Sequence, residues 1–203
     1  LSISSVEDLI YPALFVIAGF VAILSHEMGH ALVGRKLGGG QQTIVLELFG
    51  GLTSSHGMQL TRGGRALMIL AGPMMTLLLG IISLGLTWNI VAPVMTSYNL
   101  NFWDLAISPF TAALISPKLY ILSCLIMIGE WWTILNLLPI YPLDGGQLIA
   151  QYIRSPRKVF MTGFITAILI GLLSFQLFHG YFIPIFMALF AYSNYREYKN
   201  APF

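Results

Sequence analysis

The stretch "LSHEMGH", residues 24–30, ends a run without any charged side chain that covers residues 9–25. Residues four apart on a helix share a face, so His26 and His30 point the same way and could bind one ion together. Glu27 lies beside that face. Ionisable groups at membrane depth cost about 2.5–3.5 kcal/mol each on insertion scales and usually mark functional sites. The stretch therefore predicts a functional site inside a membrane helix.

The composition indicates a membrane rather than water as the solvent. Hydrophobic residues make up 57% of the chain and charged residues 9%, whereas soluble domains carry about 25% charged residues. A helix needs about 20 apolar residues to cross a bilayer, and the apolar residues gather into runs of about that length. We predict an all-α polytopic membrane protein with about five transmembrane helices, at residues 11–37, 66–88, 119–138, 159–178 and 181–195.

The basic residues predict the orientation of these spans, because Lys and Arg collect in loops that face the cytoplasm. With the N-terminus outside, nine of the ten basic residues lie on the inner side and only Lys118 lies on the outer side. We expect an integral protein of the cell (inner) membrane with a cytoplasmic C-terminus. The positive charges are topology signals, and no nucleic-acid partner is expected. The inner residues are Arg35, Lys36, Arg62, Arg65, Arg154, Arg157, Lys158, Arg196 and Lys199.

The spacing of His26, Glu27 and His30 is the HExxH arrangement, in which two histidines bind zinc and the glutamate is a general base. Zinc makes the hydrolysis accessible because it lowers the pKa of bound water to about 7. The alternative is a buried His–Glu hydrogen-bond cluster that holds helices together. The membrane setting favours the functional interpretation, with one zinc ion per chain.

A catalytic zinc site has three protein ligands and an open position, so a third ligand is needed. The two histidines lie at the inner end of the first span, and a ligand near the outer surface could not reach them. This excludes Asp104 and His179 and makes Asp144, just past the inner end of the third span, the best candidate by depth. The alternative for Asp144 is an N-cap on a short helix that begins near Gly145. The candidates weighed are Glu47, His56, Asp104, Glu130, Asp144 and His179.

The segment "NLLPIYPLDGG", residues 136–146, predicts a broken helix at membrane depth. Pro139 and Pro142 interrupt the helix, and Gly145 and Gly146 permit backbone conformations closed to other residues. Such a break is tolerated in a membrane only where it is buried in protein or lines a water-filled cavity. A hydrolase needs water at its site, so the break is consistent with hydrolysis.

Three motifs in order, "HEMGH" at 26–30, "AGP" at 71–73 and "NLLPIYPLDGG" at 136–146, resemble the site-2 protease family of intramembrane zinc metalloproteases. The resemblance covers roughly residues 12–153. It implies a three-helix catalytic core with the active site towards the cytoplasm. The resemblance also implies site residues: His26, His30 and Asp144 as zinc ligands, Glu27 as catalytic base, and Asn136 near the substrate or the oxyanion.

We expect a single membrane-embedded metalloprotease domain over residues 1–203, with its core at about 11–153 and additional transmembrane helices at about 159–196. No PDZ-like or nucleotide-sensing domain is expected. Residues 89–116 are less hydrophobic and predict an outer loop, with an interfacial helix or an extra half-span as alternatives.

Residues 38–63 are expected to bind the substrate. A transmembrane substrate must unwind before it is cut, and its freed backbone groups need partners because lipid offers none. "TIVLELF", residues 43–49, is β-prone, and two glycines follow that can turn the chain back. We predict a re-entrant hairpin whose edge pairs with the extended substrate; an ordinary cytoplasmic loop is the alternative. The predicted substrate contacts are Gly50, Gly51, Leu52 and Thr53.

The sequence thus predicts a zinc metalloendopeptidase that cuts peptide bonds within or near transmembrane segments. Its expected partners are the lipid bilayer and single-span proteins or leftover signal peptides, and the oligomeric state stays open. Two alternatives are a different membrane HExxH peptidase and a non-catalytic metal-binding scaffold. Asp144 argues against the first, which usually takes a glutamate as third ligand, and Glu27 argues against the second. His56 and Glu130 are left without an assigned role.

Overall fold

A computed structural model of the chain describes residues 9–38, 40–47, 50–56, 60–98 and 108–202. The described residues are mostly helical, with one two-stranded antiparallel sheet, so the predicted all-α class with a β-hairpin is confirmed. In chain order the elements are α1 (Ile10–Gly38), β1 (Gln41–Glu47), β2 (Gly50–His56), α2 (Arg62–Tyr98), α3 (Pro109–Ala113), α4 (Pro117–Asn136), α5 (Asp144–Ala150), α6 (Pro156–Phe178) and α7 (Phe182–Asn200).

Four of the described helices, α1, α2, α4 and α6, are long and apolar enough to cross a membrane. The fifth predicted span forms α7, which is not among these four helices and ends in a charged segment with Arg196, Glu197 and Lys199. Large apolar side chains face outward, as Val16 (67% exposed) and Leu172 (65%) do. Soluble proteins rarely expose extended apolar surface, so these faces contact lipid and the chain is an integral membrane protein.

The hairpin forms where the β-prone segment predicts it, but the two glycines that follow are part of a strand. Val45 pairs with Leu52 and Glu47 pairs with Gly50. Residues 48–49 lie outside the described part of the chain. Gly50 and Gly51 belong to β2, so the expectation that these two glycines turn the chain back is wrong.

The helix α2 extends further than the predicted span 66–88 and reaches Tyr98. The start of the predicted outer loop 89–116 is thus wrong. Asn89, the first residue of the predicted loop, donates its Nδ2 to the main-chain oxygen of Gly85 on the same helix (2.8 Å), as Thr87 just before the loop donates to that of Ser83 (2.9 Å). The polarity that suggested a loop is therefore compatible with a helix. The short helix α3 lies in the remainder of the predicted loop.

The chain divides into two compact units. The first comprises Leu1–Gln59 with Ala71–Thr133, and the second comprises Leu60–Leu70 with Ile134–Phe203. In the first unit the buried face of α1 carries many small residues, which allow close helix packing in membranes. In the second unit the core consists of Ile140, Ala167, Met187 and Ala191, so the predicted helix break packs directly on α6 and α7.

Candidate active site

The buried face of α1 holds both histidines of the HExxH motif. His26 is 3% exposed and His30 is 8% exposed. Their Nε2 atoms lie 3.1 Å apart, and the two rings are nearly perpendicular, with an interplanar angle of 82°. One turn of helix therefore brings two imidazole nitrogens together, as the spacing predicts, at a distance that one metal ion could bridge.

Thr76 on α2 orients the ring of His26. Thr76 Oγ1 lies 3.5 Å from His26 Nδ1 and 3.0 Å from the carbonyl oxygen of Pro73. When the hydroxyl donates its single hydrogen to the carbonyl, the imidazole is left as the donor in the longer contact. His26 Nε2 then carries the lone pair, and this is the nitrogen that faces His30. Metal-binding histidines commonly donate their other ring nitrogen in this way.

Thr133 on α4 completes the group around Thr76. Thr133 Oγ1 lies 3.2 Å from Thr76 Oγ1 and 3.3 Å from the carbonyl oxygen of Pro73. Both threonines are buried, and their hydroxyls connect α4 to the Pro73 segment of α2. Sequence reasoning missed these two residues, although hydroxyl side chains within apolar spans are a known signal for contacts between membrane helices.

The "AGP" motif has a steric role that the structure makes plain. A Cβ on Gly72 would contact the imidazole of His30 and would lie 2.9 Å from Nε2 of His26. A Cβ on Gly29 would contact the carbonyl oxygen of Ala71. Glycine at these two positions therefore lets α1 and α2 approach closely and keeps the space beside both Nε2 atoms open.

Glu27 is buried, and the hairpin holds its carboxyl group. Thr53 Oγ1 donates to Glu27 Oε2 at 2.6 Å, and it also lies 3.3 Å from the main-chain oxygen of Glu27. A separation of about 2.5–2.7 Å is typical of a hydroxyl bound to a carboxylate. The role of Thr53 as a substrate contact stays a prediction, and the structure adds a contact with the predicted base.

Asp144 is buried in the second unit as the first residue of α5. The N-cap position belongs to Leu143, and no side chain caps this helix, so the N-cap alternative for Asp144 is wrong. Neither Gly145 nor Gly146 has the positive φ that the sequence suggested. Instead, a Cβ on Gly145 would contact carbonyl oxygens of the preceding loop, and a Cβ on Gly146 would contact Ile140. These glycines are required for close packing.

Asn194 on α7 fixes the loop that precedes Asp144. It is fully buried, and its Nδ2 donates to the carbonyl oxygens of Tyr141 (2.6 Å) and Phe190 (2.9 Å). Its amide also occupies the space beside Gly163, where a Cβ would contact it. Sequence reasoning missed Asn194, although an amide within the last apolar run was a visible signal.

His26, His30 and Asp144 are the candidate metal ligands among the described residues, and all three are buried. Two imidazole nitrogens and one carboxylate oxygen are donors that zinc accepts. Three protein ligands also match a catalytic zinc site, which keeps one position open. The donor set therefore fits the predicted metal.

The other predicted residues divide into described and undescribed positions. Asn136 is the last residue of α4 and is buried. Glu130 is exposed on α4 and lines a small cavity of about 30 Å³. His179 is exposed at the end of α6, and the metal-ligand group found among the described residues includes neither of these two. Three further candidates have side chains outside the described part of the structure: Glu47, Leu52 and His56. Asp104 is outside the described residues altogether.

Comparisons with known proteins bear on the family of the chain. The model of peptidase family M50 matches residues 14–178. A zinc metalloprotease of Methanocaldococcus jannaschii is 29% identical over 203 residues, covering 95% of this chain and 51% of that protein. A Mycobacterium tuberculosis relative is 30% identical over 132 residues, covering 65% of this chain and 29% of the relative. The solved site-2 protease of Methanocaldococcus jannaschii superposes with a TM-score of 0.58 at 25% identity, covering 92% of this chain and 78% of that chain.

The fold and the motifs are those of a family of membrane-embedded metallopeptidases. The chain belongs to peptidase family M50, the site-2 protease family, as its three motifs predict. This membership decides against a different class of HExxH peptidase and implies zinc as the metal. The chain spans about half the length of the archaeal relative and less of the mycobacterial one.

Proposed function

We propose that this chain is an intramembrane-cleaving zinc protease, which hydrolyses peptide bonds within or near transmembrane segments of membrane-anchored substrates. The observation that carries the proposal is the buried pair of Nε2 atoms, 3.1 Å apart, on a helix long and apolar enough to span a membrane. Glu27 is buried on the same helix turn. Since ionisable groups are expensive at membrane depth, their clustering supports a catalytic role.

His26, His30 and Asp144 would hold one zinc ion. When bound, zinc polarises a carbonyl group and lowers the pKa of a coordinated water to about 7. Thr76 keeps the His26 ring in the orientation that leaves Nε2 for the metal. Gly72 leaves room beside both histidines.

Glu27 would act as the general base and then as the general acid. Thr53 holds Oε2, which leaves Oε1 to accept a proton from the attacking water and to deliver it to the leaving nitrogen. Asn136 would donate its side-chain amide to the oxyanion that develops on the substrate carbonyl. These roles give each buried polar residue of the motifs a chemical task.

The β1–β2 hairpin would bind the unwound substrate by strand addition. Because Thr53 on β2 contacts Glu27, an extended peptide paired with the hairpin would pass close to the base. Gly50, Gly51 and Leu52 would contribute to this contact through their place in β2. Single-span proteins and leftover signal peptides are the proposed substrates.

The site would open towards the cytoplasm. Nine of the ten basic residues lie on one side under the predicted topology, and this side is cytoplasmic by the positive-inside rule. The histidines lie in the C-terminal half of α1, the end that carries Arg35 and Lys36. Water and soluble products would therefore exchange with the cytoplasm.

The first test is the zinc content of the purified chain. We expect one zinc per wild-type chain, a large loss in Asp144→Ala, and retention in the matched control Glu130→Gln, which removes an exposed acid on α4. A wild type that contains no zinc and does not take up added zinc would contradict the proposal. Equal zinc in the two variants would remove Asp144 from the ligand set.

The second test separates catalysis from metal binding. Glu27→Gln should retain zinc and lose cleavage of a single-span reporter protein in proteoliposomes, because the amide cannot accept the proton. Zinc-loaded wild type that cleaves no membrane-anchored reporter would support the non-catalytic scaffold instead. Near-normal turnover in Glu27→Gln would show that another group is the base.

A further inference from the structure

A cavity of about 490 Å³ lies in the second unit and is lined by three arginines. Arg62 and Arg65 come from the first turn of α2, and Arg154 comes from the connection between α5 and α6. The volume falls within the range of about 300–1,000 Å³ that is typical of small-molecule sites. None of the three arginines belongs to the proposed active site.

The positive charge of this cavity is not neutralised by the described part of the protein. None of the described residues that line the cavity is acidic. In the described part of the chain, no carboxylate forms an ion pair with any of the three arginines. Other cations of the chain do have partners: Arg196 pairs with Glu197 at 3.3 Å, and Arg157 lies over the ring of Tyr198. Guanidinium groups match the geometry of phosphate oxygens, so the cavity suits an external phosphate-bearing anion.

The position of the cavity indicates where such an anion would come from. Arg62 is the first residue of one candidate membrane span, and Pro156, which also lines the cavity, is the first residue of another. The ends of spans lie at the level of the lipid headgroups. The N-termini of α2 and α6 carry partial positive charge from their helix dipoles, which adds to the charge of the arginines.

The cavity also has apolar walls. Leu60, Val159 and Phe160 line it beside the arginines. A soluble anion makes no use of such walls, whereas the glycerol and acyl segments of a lipid do. Basic pockets between membrane helices on the cytoplasmic side are a general means of binding anionic headgroups.

We propose that the cavity of Arg62, Arg65 and Arg154 is a binding site for a phosphate-bearing anion, supplied by the headgroup of an anionic phospholipid. The site is separate from the chemistry at Glu27. The bound lipid anchors the start of α2 to the start of α6 at the headgroup level.

The test is a titration of the purified full chain in neutral detergent, followed by native mass spectrometry. The probes are phosphatidylglycerol, zwitterionic phosphatidylcholine, and soluble glycerol phosphate. We expect phosphatidylglycerol to bind tightly and phosphatidylcholine weakly. Each arginine near an anionic headgroup contributes about fivefold in affinity, so replacing Arg62, Arg65 and Arg154 together by Gln should weaken phosphatidylglycerol binding by about a hundredfold.

The matched control removes three positive charges elsewhere in the chain. Arg35, Lys36 and Arg196 are exposed and do not line the cavity, so their joint replacement by Gln should leave the affinity for phosphatidylglycerol unchanged. Equal weakening in the two triple variants would overturn the proposal, because it would show binding by net charge alone. Equal binding of phosphatidylglycerol and phosphatidylcholine by the wild type would overturn it as well.

The soluble probe distinguishes the two sources of phosphate. If glycerol phosphate fails to displace phosphatidylglycerol, the lipid is the ligand, and the apolar walls contribute as proposed. If glycerol phosphate binds as tightly as the lipid, the anion site stands but its ligand is a soluble phosphate compound. Should the triple variant not fold, Arg154→Gln alone should weaken binding about fivefold, and unchanged affinity there would refute the site.

Discussion

The hydrogen bond between Thr53 and Glu27 allows a sharp test of how the hairpin contributes to catalysis. Thr53→Val keeps the shape of the side chain and suits a β-strand, but it removes the hydroxyl that donates to Glu27 Oε2 at 2.6 Å. The carboxyl group would lose its one described side-chain donor and become free to rotate. We expect slower cleavage with little change in zinc content.

The size of the effect follows from the geometry of the contact. Glu27 is 5% exposed, so water replaces the lost donor poorly. A hydrogen bond to a charged group contributes about 1.5–3 kcal/mol, and each 1.36 kcal/mol corresponds to about tenfold in rate. If the bond holds the base in its reactive position, kcat should fall by about 10- to 150-fold.

The assay is cleavage of a single-span reporter in proteoliposomes, with kcat and KM measured separately and zinc quantified on the same samples. Thr53→Ser keeps the hydroxyl and should retain most of the activity. The neighbouring Ser54→Ala is the matched control, because successive strand residues point to opposite faces. Thr53→Val with wild-type kcat would refute the reasoning. A rise in KM alone would instead assign Thr53 to substrate binding.

Two further predictions concern the supports of the site. Gly72→Ala places a Cβ against the histidine nitrogens and should strongly reduce bound zinc, whereas Gly80→Ala on the same helix, where a Cβ meets nothing within 4 Å, should not; equal zinc in the two variants would exclude the steric role of Gly72. Asn194→Ala removes the donor to the carbonyl oxygen of Tyr141 and should lower the free energy of unfolding by about 1–3 kcal/mol. A thermal melt of the detergent-solubilised chain measures this, with the half-buried Thr162→Val on α6 as control, and a Tm no lower than that of the control would mean that Asn194 does not hold the loop.

Much of the fold and of the chemistry could be predicted from the sequence because both rest on local rules. A run of apolar residues predicts a span wherever it occurs, and an i, i+4 pair shares a helix face without help from other elements. The position of Asp144 relative to the spans likewise makes it the leading candidate for the third ligand, a role that stays a prediction. The β-prone segment was enough to predict a hairpin, but not that Gly50 and Gly51 would lie within its second strand.

The tertiary structure decided which partners these local elements meet. Thr53 and Glu27 are 26 positions apart, and Asn194 and Tyr141 are 53 apart, so no local pattern connects them. The glycine of "AGP" can be recognised from the sequence as part of a family motif. The steric reason for it becomes visible only in the structure, where α1 packs closely against α2. The sequence alone determined the solvent, the spans and the metal-binding motif, because these depend on composition and helix periodicity. Packing decided what orients the histidine and the base, because hydrogen bonds and close contacts depend on distance in space and not on separation along the chain.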